Sequence, residues 1–228
     1  MRNYLTEFLG TFFLVLTVGL TVLNGSPLAP LAIGSSLMIM VYMGGHVSGG
    51  HYNPAVSLAV LLRGKMASVQ EFLGYVASQL LGAVVAALVV YSVTGKTFAP
   101  APAETATVTA ALLIELLFTL ALALVMLNSA ASAKTHGNSF YGLAIGFTIV
   151  VAAAAGGPIS GGAFNPAVGI GPILVNAALG GGTWANLWLY LVGPLAGGAI
   201  AAWIFGLQER EPIQLHAEPS RRPESRPA

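Results

Sequence analysis

The chain carries the same nine-residue pattern twice, 112 residues apart. The pattern Ser-Gly-Gly-x-x-Asn-Pro-Ala-Val occupies residues 48–56 and returns at 160–168. A second segment, Leu-Ala-Ile-Gly at 31–34, returns at 143–146 with the same offset. Self-similarity at one fixed spacing indicates a duplicated unit, here of about 110 residues, so the fold must accommodate two copies of one arrangement.

Each copy contains three apolar segments that are long enough to cross a lipid bilayer. Apolar residues make up 56% of the chain and charged residues 7%, whereas soluble domains carry about 25% charged residues. This composition excludes a soluble enzyme, a nucleic-acid binder and a disordered protein. Because a spanning helix needs about 20 mostly apolar residues, we predict an all-α membrane protein with spans at residues 4–24, 31–48, 68–93, 107–128, 139–157 and 184–206.

Two further apolar stretches, about 53–62 and 165–178, are too short to cross and follow glycine-rich runs. Both begin at Asn-Pro-Ala. Asn is a preferred N-cap residue and Pro is favoured at the first helical position, so each stretch is predicted to be a half-helix. Because three spans per copy turn the second copy upside down in the membrane, the two half-helix starts are expected to meet near the bilayer midplane.

The distribution of positive charge predicts the orientation. With the N-terminus inside, Arg2, Arg63, Lys65, Lys134 and the four arginines after residue 209 are cytoplasmic, and only Lys96 is outside. This asymmetry follows the positive-inside rule. We therefore expect a multi-pass protein of the cell (inner) membrane with both termini in the cytoplasm.

Three features of the chain point to one family: the two Asn-Pro-Ala motifs, called the boxes below, Gly-His-Val-Ser-Gly-Gly-His at 45–51, and Tyr-Leu-Val-Gly-Pro at 190–194. Together they resemble the aquaporin family, also called the major intrinsic proteins. The likeness covers about residues 4–207. It implies an aquaporin-like fold of six transmembrane helices plus two re-entrant half-helices, arranged as an inverted repeat. It also implies a homotetramer with one passive pore per subunit for water or small neutral solutes. The pore motifs are then Asn53, Pro54, Ala55, Asn165, Pro166 and Ala167.

The resemblance also organises the chain into parts. Residues 1–207 are expected to form an aquaporin-like channel domain, with repeats at about 1–100 and 105–207, followed by a disordered cytoplasmic tail at 208–228. We expect membrane lipids, water and neutral solutes as partners, and neither nucleic acid, cofactor, metal nor catalytic residue.

The physics of the boxes supports a pore. An Asn amide can donate to a passing water, and helix N-termini there repel cations and interrupt a chain of water-mediated proton transfer.

The selectivity filter is where this sequence departs from the family. Members usually place Arg directly after the second box, but Val168 stands there. Matched by spacing from the two asparagines, the other filter positions are Ile33, Ala153 and Gly162. Because this set offers no charge and no side-chain donor, we predict a wide filter through which glycerol, urea or neutral metalloid species pass with water. Water-selective members of the family tend to have a bulky aromatic residue and a His where this chain has Ile33 and Ala153. Glycerol channels typically continue the second box with Arg-Asp, so the sequence fits neither subgroup.

Four further polar residues allow two interpretations each. Glu7 and Glu115 lie inside apolar spans, where ionisable side chains have a structural or functional role. They either relay protons or, as we favour and as the family implies, accept hydrogen bonds from the re-entrant loop of their own half. His46 and His51 flank the first glycine run and are expected to support the loop rather than to gate the pore with pH.

Two other functional classes remain as alternatives to a channel. A secondary transporter of a small neutral solute can also contain inverted repeats and broken helices. Such a protein often has a coupling carboxylate or ion site at the midplane, and the sequence places nothing ionisable beside Asn53 or Asn165. A membrane enzyme is the third class, and no nucleophile–base pair or metal-ligand spacing is visible in the sequence.

Overall fold

A computed structural model describes residues 1–209, and this part of the chain is helical without any strand. Within residues 1–209, six helices are long and apolar enough to cross a membrane. Two shorter helices, α3 and α7, begin at the asparagines of the two boxes. The helices are α1 Arg2–Leu23, α2 Ala29–Ser48, α3 Pro54–Leu62, α4 Val69–Thr94, α5 Val108–Met126, α6 Tyr141–Ser160, α7 Pro166–Leu179 and α8 Leu189–Gln208.

The predicted all-α fold with six spans and two short apolar helices is confirmed. Five spans agree with the predicted bounds to within a few residues, and a π-helical turn at Leu127–Ala131 extends α5. The sixth was predicted to begin at residue 184, but α8 begins at Leu189 because Trp184–Trp188 forms a turn. The turn has the apolar composition of a spanning helix, although Trp184 and Trp188 are exposed. The tail predicted at 208–228 lies, from residue 210 on, outside the described residues.

The two halves repeat one packing scheme and then interlock. In the first half α1 packs against α2 and α4, and in the second half α5 packs against α6 and α8. Helices α2 and α6 meet between the halves. Each half-helix packs chiefly on the last long helix of the opposite half, α3 on α8 and α7 on α4. The half-helices therefore lie in the interior, where non-helical backbone at their starts is shielded from lipid.

Candidate pore

Each asparagine of the boxes begins a half-helix and caps it. Asn53 has extended backbone angles, and its Oδ1 accepts a hydrogen bond from the Ala55 N–H at 2.9 Å. Asn165 repeats this geometry, with the Ala167 N–H donating at 2.8 Å. The caps satisfy backbone donors at both helix starts. They also fix the amide oxygens, so that the amide nitrogens point away from the helices.

The amide nitrogens connect the two halves of the chain. Asn53 Nδ2 donates to the Phe164 carbonyl at 2.9 Å, and Asn165 Nδ2 donates to the Tyr52 carbonyl at 2.8 Å. An amide nitrogen carries two hydrogens, so each asparagine keeps one donor beyond this bond. Both asparagines line the central cavity of the molecule. The remaining donors are thus available to a solute in that cavity.

Left-handed backbone at the residue before each asparagine makes these hydrogen bonds between the two halves possible. Tyr52 has φ 49° and Phe164 has φ 51°. Bulky residues adopt this region at a cost of about 1–3 kcal/mol and only where the surroundings enforce it. Here each carbonyl is turned toward the asparagine of the opposite half. The backbone N–H of each aromatic residue is held by a buried carboxylate.

The carboxylate of the first half is Glu7 on α1, which is fully buried. Its Oε1 accepts from Ser48 Oγ at 2.6 Å and from the His51 N–H at 3.0 Å. Its Oε2 accepts from the Tyr52 N–H at 2.6 Å and from Gln79 Nε2 at 2.7 Å. These four bonds join the re-entrant loop to α1 and α4.

Glu115 on α5 occupies the equivalent position in the second half and is also fully buried. It accepts from Ser160 Oγ at 2.7 Å, from the Ala163 N–H at 3.0 Å and from the Phe164 N–H at 2.6 Å. Tyr75 and Tyr190 make equivalent bonds to the serine carbonyl of their own loop, and four residues further on Pro194, which has no side-chain donor, stands where α4 has Gln79. The carboxylate of Glu115 therefore accepts three hydrogen bonds, whereas that of Glu7 accepts four.

The two histidines behave differently. His51 is buried, and its Nδ1 lies 3.1 Å from Ser57 Oγ, which also accepts from Gln79 Nε2 at 3.0 Å. His51 is thus part of the loop-supporting network. His46 is exposed on α2. Since Gly44 and Ser48 mark the buried face of this helix, residue 46 points the other way, and the predicted loop support by His46 is not what the structure shows.

Three cavities follow one another along the re-entrant loops. We name them by the predicted orientation. The outer cavity is bounded by Phe98–Ala101, the central cavity holds both asparagines, and the inner cavity is bounded by Lys65 and Met66. His51 lines both the central and the inner cavity. The outer and inner cavities therefore each adjoin the central cavity at shared lining residues.

All four residues of the expected filter line the central cavity. Ile33 comes from α2, Ala153 from α6, Gly162 from the second loop and Val168 from α7. Gly162 and Val168 also line the outer cavity, as does Val18 of α1. Residues shared by two adjoining cavities stand at the boundary between them. Side chains without charge or hydrogen-bond donor therefore form the boundary on the outer side.

The wall of the central cavity has an apolar and a polar side. Helices α1, α2, α5 and α6 contribute aliphatic and thioether side chains, whereas the loops contribute the asparagines and the backbone before them. The apolar side is lined by Leu14, Val18, Ile33, Leu37, Leu122, Met126, Ile145 and Ile149. A solute with a carbon skeleton and a row of hydroxyl or amide groups fits such a wall better than an ion does.

Sequence reasoning did not identify every residue of this region. Gln79, Ser57 and Tyr75 join the first loop, Tyr75 by donating from its hydroxyl to the Ser48 carbonyl at 2.8 Å. Polar groups inside an apolar span, Gln79 above all, are a signal that could have found them. Val18 gave no signal, because an aliphatic residue on a spanning helix has the same pattern whether it faces lipid or a pore.

Comparisons with known proteins agree with this geometry. The family model described as major intrinsic protein matches residues 1–205. The chain is 35% identical over 218 residues to glycerol uptake facilitator protein-like 6 of Lactiplantibacillus plantarum, covering 89% of this chain and 96% of that protein. It is 33% identical to aquaporin NIP1-1 of Zea mays, covering 91% and 74%. The X-ray structure of the aquaglyceroporin from Plasmodium falciparum has the same fold, with a TM-score of 0.79 at 24% identity, covering 90% of this chain and 94% of that one.

Proposed function

We infer that this chain, which belongs to the major intrinsic protein family, is a membrane channel for water and small neutral solutes. We further propose that it conducts a solute of glycerol or urea size together with water. The observation that carries this proposal is the boundary of the central cavity, where Val168 stands in place of a cation and Gly162 has no side chain. A relative named as a glycerol uptake facilitator supports the same solute class.

The proposed filter distinguishes solutes by size and polarity. A constriction of Ile33, Ala153 and Val168 offers no donor that could replace the hydration of an ion. Ions are therefore excluded by the cost of losing water. A neutral solute can leave its carbon atoms on the apolar side of the cavity while its polar groups face the loops. Glycerol, urea and neutral metalloid acids all meet this requirement.

Proton exclusion is proposed to depend on the pore centre. The free hydrogens of Asn53 and Asn165, together with the N-termini of α3 and α7, present positive partial charge to one water molecule. That water accepts hydrogen bonds from both sides, so its own hydrogens point away from the midplane and the chain of proton transfer is interrupted. Because the filter lacks an arginine, the repulsion of cations also depends mainly on this centre.

The same proposal covers assembly and placement. The family implies a homotetramer with one pore in each subunit. The charge distribution supports a cell-membrane protein with Arg63, Lys65 and Lys134 on the cytoplasmic side and Lys96 outside. Residues 1–207 act as the channel domain, and the tail is a cytoplasmic appendage.

A flux measurement separates this channel from a coupled transporter. In proteoliposomes, we expect glycerol uptake to rise in proportion to its concentration and to be unchanged when sodium or proton gradients are imposed or collapsed, because no carboxylate of residues 1–209 lines the central cavity. Empty liposomes provide the control for leakage. Uptake that saturates and follows an ion gradient would instead establish a secondary transporter.

A further inference from the structure

The end of α3 carries an arginine whose charge the described residues leave unpaired. Arg63 is the C-cap residue of this half-helix. Its guanidinium carbon lies 5.9 Å from the centre of the Phe205 ring, and its Nε is buried without a hydrogen-bond partner within residues 1–209. The nearby carboxylate of Glu209 accepts from Ser132 Oγ at 2.8 Å instead. A buried donor without an acceptor is unfavourable, so a ligand that brings an anionic acceptor to this guanidinium is favoured.

Arg63 opens onto a groove beside the end of α8, which we call the Arg63 groove. Its other walls are Trp203, Gly206, Leu207 and Glu209. Gly206 allows the guanidinium to lie against α8, since a Cβ at that position would meet Arg63 Nη1. Trp203 is 65% exposed and Leu207 is 42% exposed. The groove thus combines a guanidinium with an exposed aromatic and aliphatic surface, and the carboxylate of Glu209 in its wall accepts a hydrogen bond from Ser132 Oγ.

The position of the groove along α8 corresponds to the membrane interface. Trp203 lies five residues before the end of the helix at Gln208, which is about 8 Å along the helix axis. Tryptophan is enriched at this depth, level with lipid headgroups. From Trp203 toward the bilayer centre, Ile200 and Val192 continue the exposed face of α8. An acyl chain can therefore lie along this face while its headgroup reaches Arg63.

We propose that the Arg63 groove binds the phosphate of an anionic phospholipid, with an acyl chain packed against Trp203 and Ile200. A guanidinium recognises phosphate oxygens through paired, charge-assisted hydrogen bonds. Inorganic phosphate shares this chemistry, but it gains nothing from the exposed apolar face beside the groove. A lipid uses both parts of the site.

The inverted repeat provides an internal comparison for this site. By the offset of 112 residues, the counterpart of Arg63 in the second half is Val175, which is buried and uncharged. The repeat therefore does not reproduce the Arg63 cation on the opposite membrane face, and the proposed site lies in one leaflet. With the orientation proposed above, that leaflet is the cytoplasmic one, whose surface is negatively charged. The binding itself does not depend on this orientation.

Fluorescence quenching by brominated lipid tests the site directly. Trp184 and Trp188 are replaced by Phe, so that Trp203 is the one tryptophan left of three. In bilayers of phosphatidylcholine, brominated phosphatidylglycerol is expected to quench Trp203 at about fivefold lower mole fraction than brominated phosphatidylcholine, the effect of one well-placed basic residue. Arg63→Gln should abolish this preference. Lys134→Gln removes an exposed positive charge on the same side and should leave the preference intact.

Three results would overturn the proposal. The first is a preference for phosphatidylglycerol that survives in Arg63→Gln. The second is a preference that inorganic phosphate removes, since the groove then binds a small free anion. The third is a preference seen only after residues 210–228 are deleted, which would make the chain's own tail the occupant. If Arg63→Gln does not fold, Arg63→Lys replaces it: a reduced preference supports the guanidinium–phosphate pair, and an unchanged one contradicts it.

Discussion

Val168→Arg is expected to reduce glycerol flux by about tenfold or more, the effect of about 1.4 kcal/mol on the barrier, while water flux falls much less. The substitution adds a long cationic side chain at the boundary that Gly162 and Val18 share between two cavities. A water molecule that loses hydrogen bonds to other waters in the constriction can form new ones to the guanidinium. A larger solute, in contrast, meets a narrower opening. Stopped-flow measurements on proteoliposomes give both permeabilities from one preparation.

Two controls separate filter geometry from misfolding in that experiment. Val168→Leu adds bulk without charge or donors. It should therefore lower glycerol flux, and it offers water no hydrogen bonds of the kind that a guanidinium provides. Burying a charge at membrane depth is costly, and the detergent-extracted variant should therefore be checked for an unchanged oligomeric state. If Val168→Arg is well assembled and keeps the parent's ratio of solute to water permeability, Val168 does not set the constriction.

Glu7→Ala should prevent the channel from folding. The change leaves the Ser48 hydroxyl, two loop N–H groups and the Gln79 amide without their acceptor. A buried donor that loses its partner costs about 1–3 kcal/mol. The left-handed backbone at Tyr52 also loses the contact that enforces it. We expect little monodisperse protein after detergent extraction and no water flux.

The same helix supplies a matched control for this change. Thr11 lies one turn after Glu7 and is equally buried, but its hydroxyl has no hydrogen-bond partner in the described part of the chain. Thr11→Val therefore removes no bond and should fold and conduct as the parent does. Glu7→Gln keeps an acceptor but adds donors, so its yield of folded protein and its water flux should lie between those of Glu7→Ala and Thr11→Val. A stable, conducting Glu7→Ala protein would mean that the carboxylate does not hold the loop.

The features that the sequence predicted are those in which a residue type conflicts with its surroundings. Asn53 and Glu7 are polar residues in apolar segments, and their repetition at Asn165 and Glu115 predicts paired half-helices and carboxylates that hold the loops. Gln79 carries the same kind of signal, and its bonds to Glu7 and Ser57 show how a single polar residue marks a buried network.

The remaining features depend on tertiary arrangement. The bonds from Asn53 to the Phe164 carbonyl and from Asn165 to the Tyr52 carbonyl join residues that are 111 and 113 positions apart. Their geometry follows from left-handed backbone at two aromatic residues, which no propensity favours. The turn before α8 was also missed, because Trp184 and its neighbours satisfy a hydropathy criterion without forming a helix.

The most direct test of a wide, passive pore is a side-by-side comparison of solutes in one batch of proteoliposomes. Stopped-flow light scattering follows water, glycerol, urea and a neutral metalloid acid, each against empty liposomes of the same lipid. The filter of Ile33, Ala153, Gly162 and Val168 predicts that glycerol or urea enters through the protein as readily as water. Movement of water alone, with every solute at the rate of empty liposomes, would contradict the account.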